Sequence, residues 1–269
     1  METLKFQTLG PAAGPTLVCL HGFLGTGSDW LPFAQELQRL RPEIQILLPD
    51  LPGHGESVSI PPDNFTERLI ESLDAAGIPR AAIAGDSLGG RLALAAAIAH
   101  PHRFPTFIGI STTAGIESPL DRATRREADA KLAQRLREDS FDSFLRDWWS
   151  LPIFDSPKKM PTDEFLATRL AQNPSALAEV LYAWSPGALP ALWPELPDYP
   201  GTALLLAGES DSKYSLAALR MSAAFRSAQT QILPGCGHRL LVEAPHDLAR
   251  SVAEFLPANF GIGPAKTGR

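Results

Sequence analysis

Ser87 lies in Gly85-Asp86-Ser87-Leu88-Gly89, between an apolar run at 81–86 and a helical pattern at 88–100. A serine in Gly-x-Ser-x-Gly at a strand-to-helix turn reads as a nucleophile elbow. The small flanking residues let the turn close, and the hydroxyl is raised at a helix N-terminus, where backbone N–H groups favour developing negative charge. The five-residue match alone is common in Gly-rich turns; its setting between strand and helix gives it weight. Such a serine needs a base, and the base needs an acid to orient it. Asp211, in Gly208-Glu209-Ser210-Asp211, follows an apolar run at 202–208, and His238, in Gly235-Cys236-Gly237-His238, follows one at 230–235. Glu209 is a rival acid, but it sits nearer the strand end. His21-Gly22-Phe23 closes the run at 16–20. Where an elbow of this kind is used, the residue after His-Gly and the residue after the serine donate backbone N–H groups to an oxyanion hole, which assigns Phe23 and Leu88. The side chains of His21 and His54 read as structural, bonded to backbone in Gly/Pro-rich turns.

These residues require an open sheet that brings several strand ends to one edge. Apolar runs at 16–20, 44–50, 81–86, 106–112, 202–208 and 230–235 alternate with helical patterns at 28–40, 65–78, 88–100, 215–226 and 245–256. Strand–helix alternation predicts an α/β fold, a mostly parallel sheet with helices on both faces. The alternation stops after Ser111, and a helical block rich in Arg and Trp follows from about 119 to 193. We expect a core of 1–112 and 200–258, a helical lid insertion at 113–199 over the carboxyl ends of the strands, and a flexible Gly/Pro-rich tail at 259–269.

Composition narrows the partners. The chain has 269 residues with Lys+Arg 24 against Asp+Glu 30, a net charge of −6. No basic footprint points to nucleic acid, and an anionic ligand would need a site built from local arginines. The longest apolar helical stretch, 92–100, is far short of a membrane span. Cys19 and Cys236 form neither a disulfide framework nor a metal spacing. No signal peptide is visible at the N-terminus, so a soluble cytoplasmic enzyme without cofactor or metal is expected.

The motifs HGFLGTGSDW (21–30), PDLPGHGES (49–57), GDSLGGR (85–91), GESD (208–211) and GCGH (235–238) occur in the order that resembles the α/β-hydrolase superfamily, with the acid and base following the serine. A narrower resemblance is to the 2-succinyl-6-hydroxy-2,4-cyclohexadiene-1-carboxylate synthase family of menaquinone and phylloquinone biosynthesis. It rests on Arg91 after the elbow, Arg125 and Asp129 before LAQRL, and DWWSLPIF at 147–154. Arg169 with Asn173-Pro174 and SDSKY at 210–214 add to it. The resemblance implies a small substrate with three carboxylates and an elimination of pyruvate in which the serine–histidine pair is a base. Arg91, Arg125 and Arg169 would clamp carboxylates, with Arg126 an alternative register for Arg125. Trp148 would be a substrate wall or part of the lid core. One position departs from the family: the residue before the serine, often Tyr there and thought to help hold substrate, is Asp86. A serine esterase or C–C bond hydrolase working through an acyl-enzyme is the rival reading. A binding protein of the same fold is a third, disfavoured by the complete Ser/His/Asp set.

Overall fold

Strands buried along their whole length need unbroken apolar sequence, because both faces of a parallel sheet are covered. Thr16–Leu20 (β2), Gln45–Pro49 (β3) and Thr106–Ile110 (β5) are buried at every position. Ala82–Asp86 (β4) and Thr202–Gly208 (β6) are buried at all but one, and Ala228–Leu233 (β7) is more open. With Phe6–Leu9 (β1) they form one seven-stranded sheet in the order β1-β3-β2-β4-β5-β6-β7. Every neighbouring pair is parallel except β1 with β3. The computed structural model describes residues 4–57, 59–158, 163–258 and 260.

Helices Phe65–Ala75 (α2), Leu88–Ala99 (α3) and Ser212–Ala224 (α8) pack on one face, with Phe65, Leu69, Leu92, Ala218 and Met221 in a single apolar cluster. Leu31–Leu40 (α1) and Pro245–Phe255 (α10) cover the other face through Phe33, Leu37, Leu248 and Val252. A short helix, Leu240–Glu243 (α9), precedes α10. The parallel sheet with helices on both faces agrees with the expectation from sequence.

Between β5 and β6 the chain forms Pro119–Glu138 (α4), Phe141–Trp149 (α5), Asp163–Leu170 (α6) and Pro174–Ala183 (α7). Ser118, Ser140 and Asn173 each accept a backbone N–H at the start of α4, α5 and α7, which fixes where those helices begin. A third apolar cluster, including Leu136, Phe144, Trp149, Phe154 and Leu177, joins these helices to Leu24. The tail expected at 259–269 lies outside the described residues except for Phe260, which is buried against the α1/α10 side. Among the described residues no helix is long and apolar enough to cross a membrane, and none of the His, Cys, Asp and Glu side chains cluster as a metal site.

Candidate active site

Ser87 stands between β4 and α3 with φ 49° and ψ −107°, a left-handed backbone that a non-Gly residue adopts at a cost of order 1–3 kcal/mol. The surroundings enforce it. Ser87 N donates to Ile110 O at 2.9 Å, and Thr112 Oγ1 donates to Ser87 O at 2.9 Å. The turn closes only because Gly85 and Gly89 lack side chains. A Cβ on Gly85 would collide with the Gly89 backbone, and one on Gly89 with the carbonyls of Leu20 and His21.

The ends of β6 and β7 supply the partners. Asp211 caps α8, its Oδ1 accepting from Tyr214 N at 3.4 Å, and its Oδ2 meets His238 Nδ1 at 2.6 Å. His238 Nε2 lies 3.2 Å from Ser87 Oγ. The contact to Asp211 fixes the imidazole so that Nε2 is turned to the serine. His238 and Asp211 are both buried, and the Tyr214 and Phe154 rings flank the imidazole at 4.8 and 5.9 Å. Glu209, the rival acid, is exposed and accepts from Gly235 N at 2.9 Å, so it braces the turn before His238 rather than the histidine itself.

The loop carrying Phe23 is held by two imidazoles. His21 Nε2 accepts from Leu51 N at 2.8 Å, so its Nδ1 carries the proton donated to Gly22 O at 2.8 Å. His54 Nε2 accepts from Leu24 N at 3.3 Å and its Nδ1 donates to Pro52 O at 3.2 Å. The rings meet edge to face at 5.0 Å, and Leu24 has φ 65°. Leu88, the first residue of α3, has a backbone N–H with no acceptor within its own helix. Phe23 and Leu88 both line the cavity beside Ser87.

Burial holds both histidines neutral, His21 at about 4 and His54 at about 3, below the usual 6.5. The unfolded chain therefore binds more protons than the folded one as pH drops below 6.5. The stabilisation is complete above that pH and is lost as pH falls towards 4. At pH 4 the loss is about 3 kcal/mol per histidine. We expect the Tm to fall steeply from pH 6.5 to pH 4; a level Tm across that window would show that the imidazoles are not held neutral.

Two lobes open from Ser87. The larger, about 300 Å³, is lined by Arg91, Arg125, Asp129, Leu132, Trp184 and Tyr214 among others. The smaller, about 80 Å³, is lined by Asp29, Asp86, Phe165, Arg169, Arg239 and Leu241 among others. Phe23, Ser87, Trp148, Phe154 and His238 border both. Arg91 stands one turn into α3, where burial lowers its pKa and its Nε is sealed without a partner. Arg125 grips the buried Asp129 through Nε at 2.9 and 2.8 Å while still lining the large lobe. Arg126 is exposed and packs on Gly187, so Arg125 is the register that faces the cavity.

Arg169 is buried in the small lobe but already engaged. It is ion-paired with Asp29, bonded to Thr168 Oγ1 at 2.8 Å, and stacked 3.4 Å over the Phe165 ring. Just beyond it, Gln172 Nε2 donates to Leu24 O at 2.7 Å and its Oε1 accepts from Gly55 N at 3.3 Å. Trp148 is both a wall and packed structure, with Phe23, Phe144 and Phe154 at 5.2, 6.0 and 5.9 Å between ring centres. Asp29, Arg239, Tyr214 and Phe154 were not singled out from sequence. Asp29, Phe154 and Tyr214 stand inside HGFLGTGSDW, DWWSLPIF and SDSKY without a role assigned to them there, and the signal for Arg239 was a cation directly after His238; it is buried beside Glu243 at 3.7 Å.

Residues 17–251 match the Alpha/beta hydrolase family. The 2-succinyl-6-hydroxy-2,4-cyclohexadiene-1-carboxylate synthase of Yersinia pseudotuberculosis serotype O:3 (strain YPIII) is 33% identical over 281 residues, covering 100% of both chains. MenH from S. aureus superposes with a TM-score of 0.87 at 28% identity, covering 93% of this chain and 97% of that one. A thermophilic esterase from Thermogutta terrifontis has a TM-score of 0.77 at 22% identity, over 94% and 92% of the two chains, a likeness of fold alone. Full-length identity to a named synthase and the match across the sheet and elbow lead to one assignment: the chain belongs to the alpha/beta hydrolase family, among the 2-succinyl-6-hydroxy-2,4-cyclohexadiene-1-carboxylate synthases.

Proposed function

We propose that the protein is a carbon–oxygen lyase that eliminates pyruvate from 2-succinyl-5-enolpyruvyl-6-hydroxy-3-cyclohexene-1-carboxylate, giving 2-succinyl-6-hydroxy-2,4-cyclohexadiene-1-carboxylate. The observation that carries this reading is the presence of Arg91 and Arg125 in the same cavity as the Ser87–His238 contact. A neutral ester has no use for two guanidinium groups in a mostly apolar cavity, whereas carboxylates match their planar forks.

In this reading Ser87 Oγ removes the ring proton next to the succinyl ketone and passes its own proton to His238, whose charge Asp211 stabilises. The electron pair left on carbon delocalises onto the ketone oxygen, which the Phe23 and Leu88 N–H groups hold as an enolate. The enolate collapses through the ring double bond to form the conjugated diene and break the carbon–oxygen bond to the enolpyruvyl group, and the proton held on His238 is given up as the departing enolate is protonated on its methylene carbon to become pyruvate. No water is consumed and no bond to Ser87 forms. Arg91 and Arg125 clamp carboxylates in the large lobe, and the helices between β5 and β6 act as the lid that keeps the lobes dry.

The test is pyruvate release from the pathway intermediate, followed beside hydrolysis of p-nitrophenyl acetate, with intact-protein mass spectrometry during a single turnover. Pyruvate is expected to appear without a covalent adduct. An acyl ester on Ser87, formed at a competent rate from the enzyme's own substrate, would promote the hydrolase instead.

A further inference from the structure

Three carboxyl groups lie around the reacting serine, Asp211 buried and Asp29 and Asp86 half-buried, and two of them are supported. Asp211 has His238 and the Tyr214 N–H. Asp29 has the Arg169 guanidinium and the Thr26 N–H. Asp86 has no such partner among the described residues: its Oδ1 is sealed from solvent without a donor, and no hydrogen bond or ion pair from them reaches its Oδ2. The side chain lines the small lobe, with Oδ2 against the Gly22 Cα, beside the loop that carries the Phe23 N–H. A carboxylate enclosed without a cation or donor is costly enough that the group takes up a proton instead. Asp29 on the loop after β2 and Asp211 after β6 both add negative charge, and the cationic or titratable groups sharing the small lobe are engaged elsewhere: Arg169 with Asp29, Arg239 beside Glu243 and His238 with Asp211.

We propose that Asp86 binds substrate as the neutral acid, donating an O–H into the small lobe to an anionic oxygen of the ligand, as a third donor beside the Phe23 and Leu88 N–H groups. This rests on the lyase reading for the identity of the substrate, but not for the protonation state of the residue. Burial, with Asp29 and Asp211 nearby, pushes the Asp86 carboxyl up to about 8. Below that pH the residue donates; above it, a second negative charge faces an anionic ligand.

The experiment compares wild type with Asp86→Asn, which keeps a neutral donor of the same shape, and Asp86→Leu, which keeps the bulk and removes the donor. At pH 7 the Asn variant is expected to lose a few-fold in kcat/KM for pyruvate release, and the Leu variant about 10–100-fold. Wild-type kcat/KM is expected to fall about tenfold per pH unit above pH 8, and the Asn variant is not expected to show that limb. A separate readout needs no substrate: carboxyl carbon NMR of the Asp-labelled protein should show one resonance titrating near pH 8 that disappears in Asp86→Asn. An Asn variant as impaired as Leu, or an alkaline limb that survives in Asn, overturns the proposal. So does a carboxyl that is ionised at pH 6 by NMR. If the lyase reading is wrong, no variant releases pyruvate, while the titrating resonance is still observed. Thermal melts of both variants establish that each is folded.

Discussion

Ser87→Ala is expected to lower kcat for pyruvate release by about 10²–10⁴-fold, the contribution of a positioned general base. The fold should survive. Alanine meets the same left-handed backbone as serine, and the bonds holding the turn, Ser87 N to Ile110 O and Thr112 Oγ1 to Ser87 O, involve only main-chain atoms of residue 87. His238→Ala should cost about as much, and the double variant little more, because Ser87 and His238 act as one proton-moving unit. The residual rate would come from the oxyanion donors and the arginines, which remain in place. Asp211→Asn should also be severe, since an amide cannot hold the same imidazole tautomer or balance its charge. Glu209→Gln should be mild, given that Glu209 serves only the Gly235 turn. Steady-state pyruvate release at saturating substrate checks all five variants. Near-normal turnover in Ser87→Ala would mean that the base lies elsewhere.

Arg91→Ala is expected to weaken transition-state binding by about 2–5 kcal/mol, the cost of truncating one member of a buried, hydrogen-bonded charge pair. That corresponds to about 30- to 5,000-fold in kcat/KM for the tri-anionic substrate. The argument rests on placement: Arg91 is one turn from Ser87 on the rigid α3, lines the large lobe, and has lost much of its hydration. A group so desolvated gains more from a carboxylate than an exposed arginine would. Arg91→Lys should restore only part of the loss, because a single ammonium cannot reproduce a bidentate fork. Hydrolysis of p-nitrophenyl acetate, which carries no charge, should barely change. Equal losses on both substrates would assign Arg91 to structure instead.

Much of the fold was legible because buried parallel strands leave an unbroken apolar signature. Thr16–Leu20 and Thr106–Ile110 were bounded correctly or nearly so from that alone. Phe6–Leu9 was missed for the converse reason: as an edge strand with two exposed positions out of four, FQTL has no such run. In α4 the sequence left Arg125 and Arg126 undecided, since charges lie all around the helix; the buried Asp129 four residues on selects Arg125. Neither the engagement of Arg169 by Asp29, 140 residues away, nor the lack of any partner for Asp86 has a local signature. Both are products of chain crossings rather than of spacing. The neutral histidines were legible as structural because each stands in a Gly-rich turn whose backbone groups lack strand or helix partners.

The contacts at the C-terminal end of α6 carry a mechanical consequence. Arg169 holds Asp29, and Gln172 bridges Leu24 and Gly55, so the C-terminal end of α6 is latched to the two loops that frame the Phe23 N–H. The stiffness with which that N–H is aimed is thus borrowed from a helix outside the sheet. A ligand carboxylate that drew Arg169 away from Asp29 would release one of the latches and leave the other to bear the load. Gln172, which borders neither lobe, would then be the remaining tie between this end of α6 and the loop that carries Phe23.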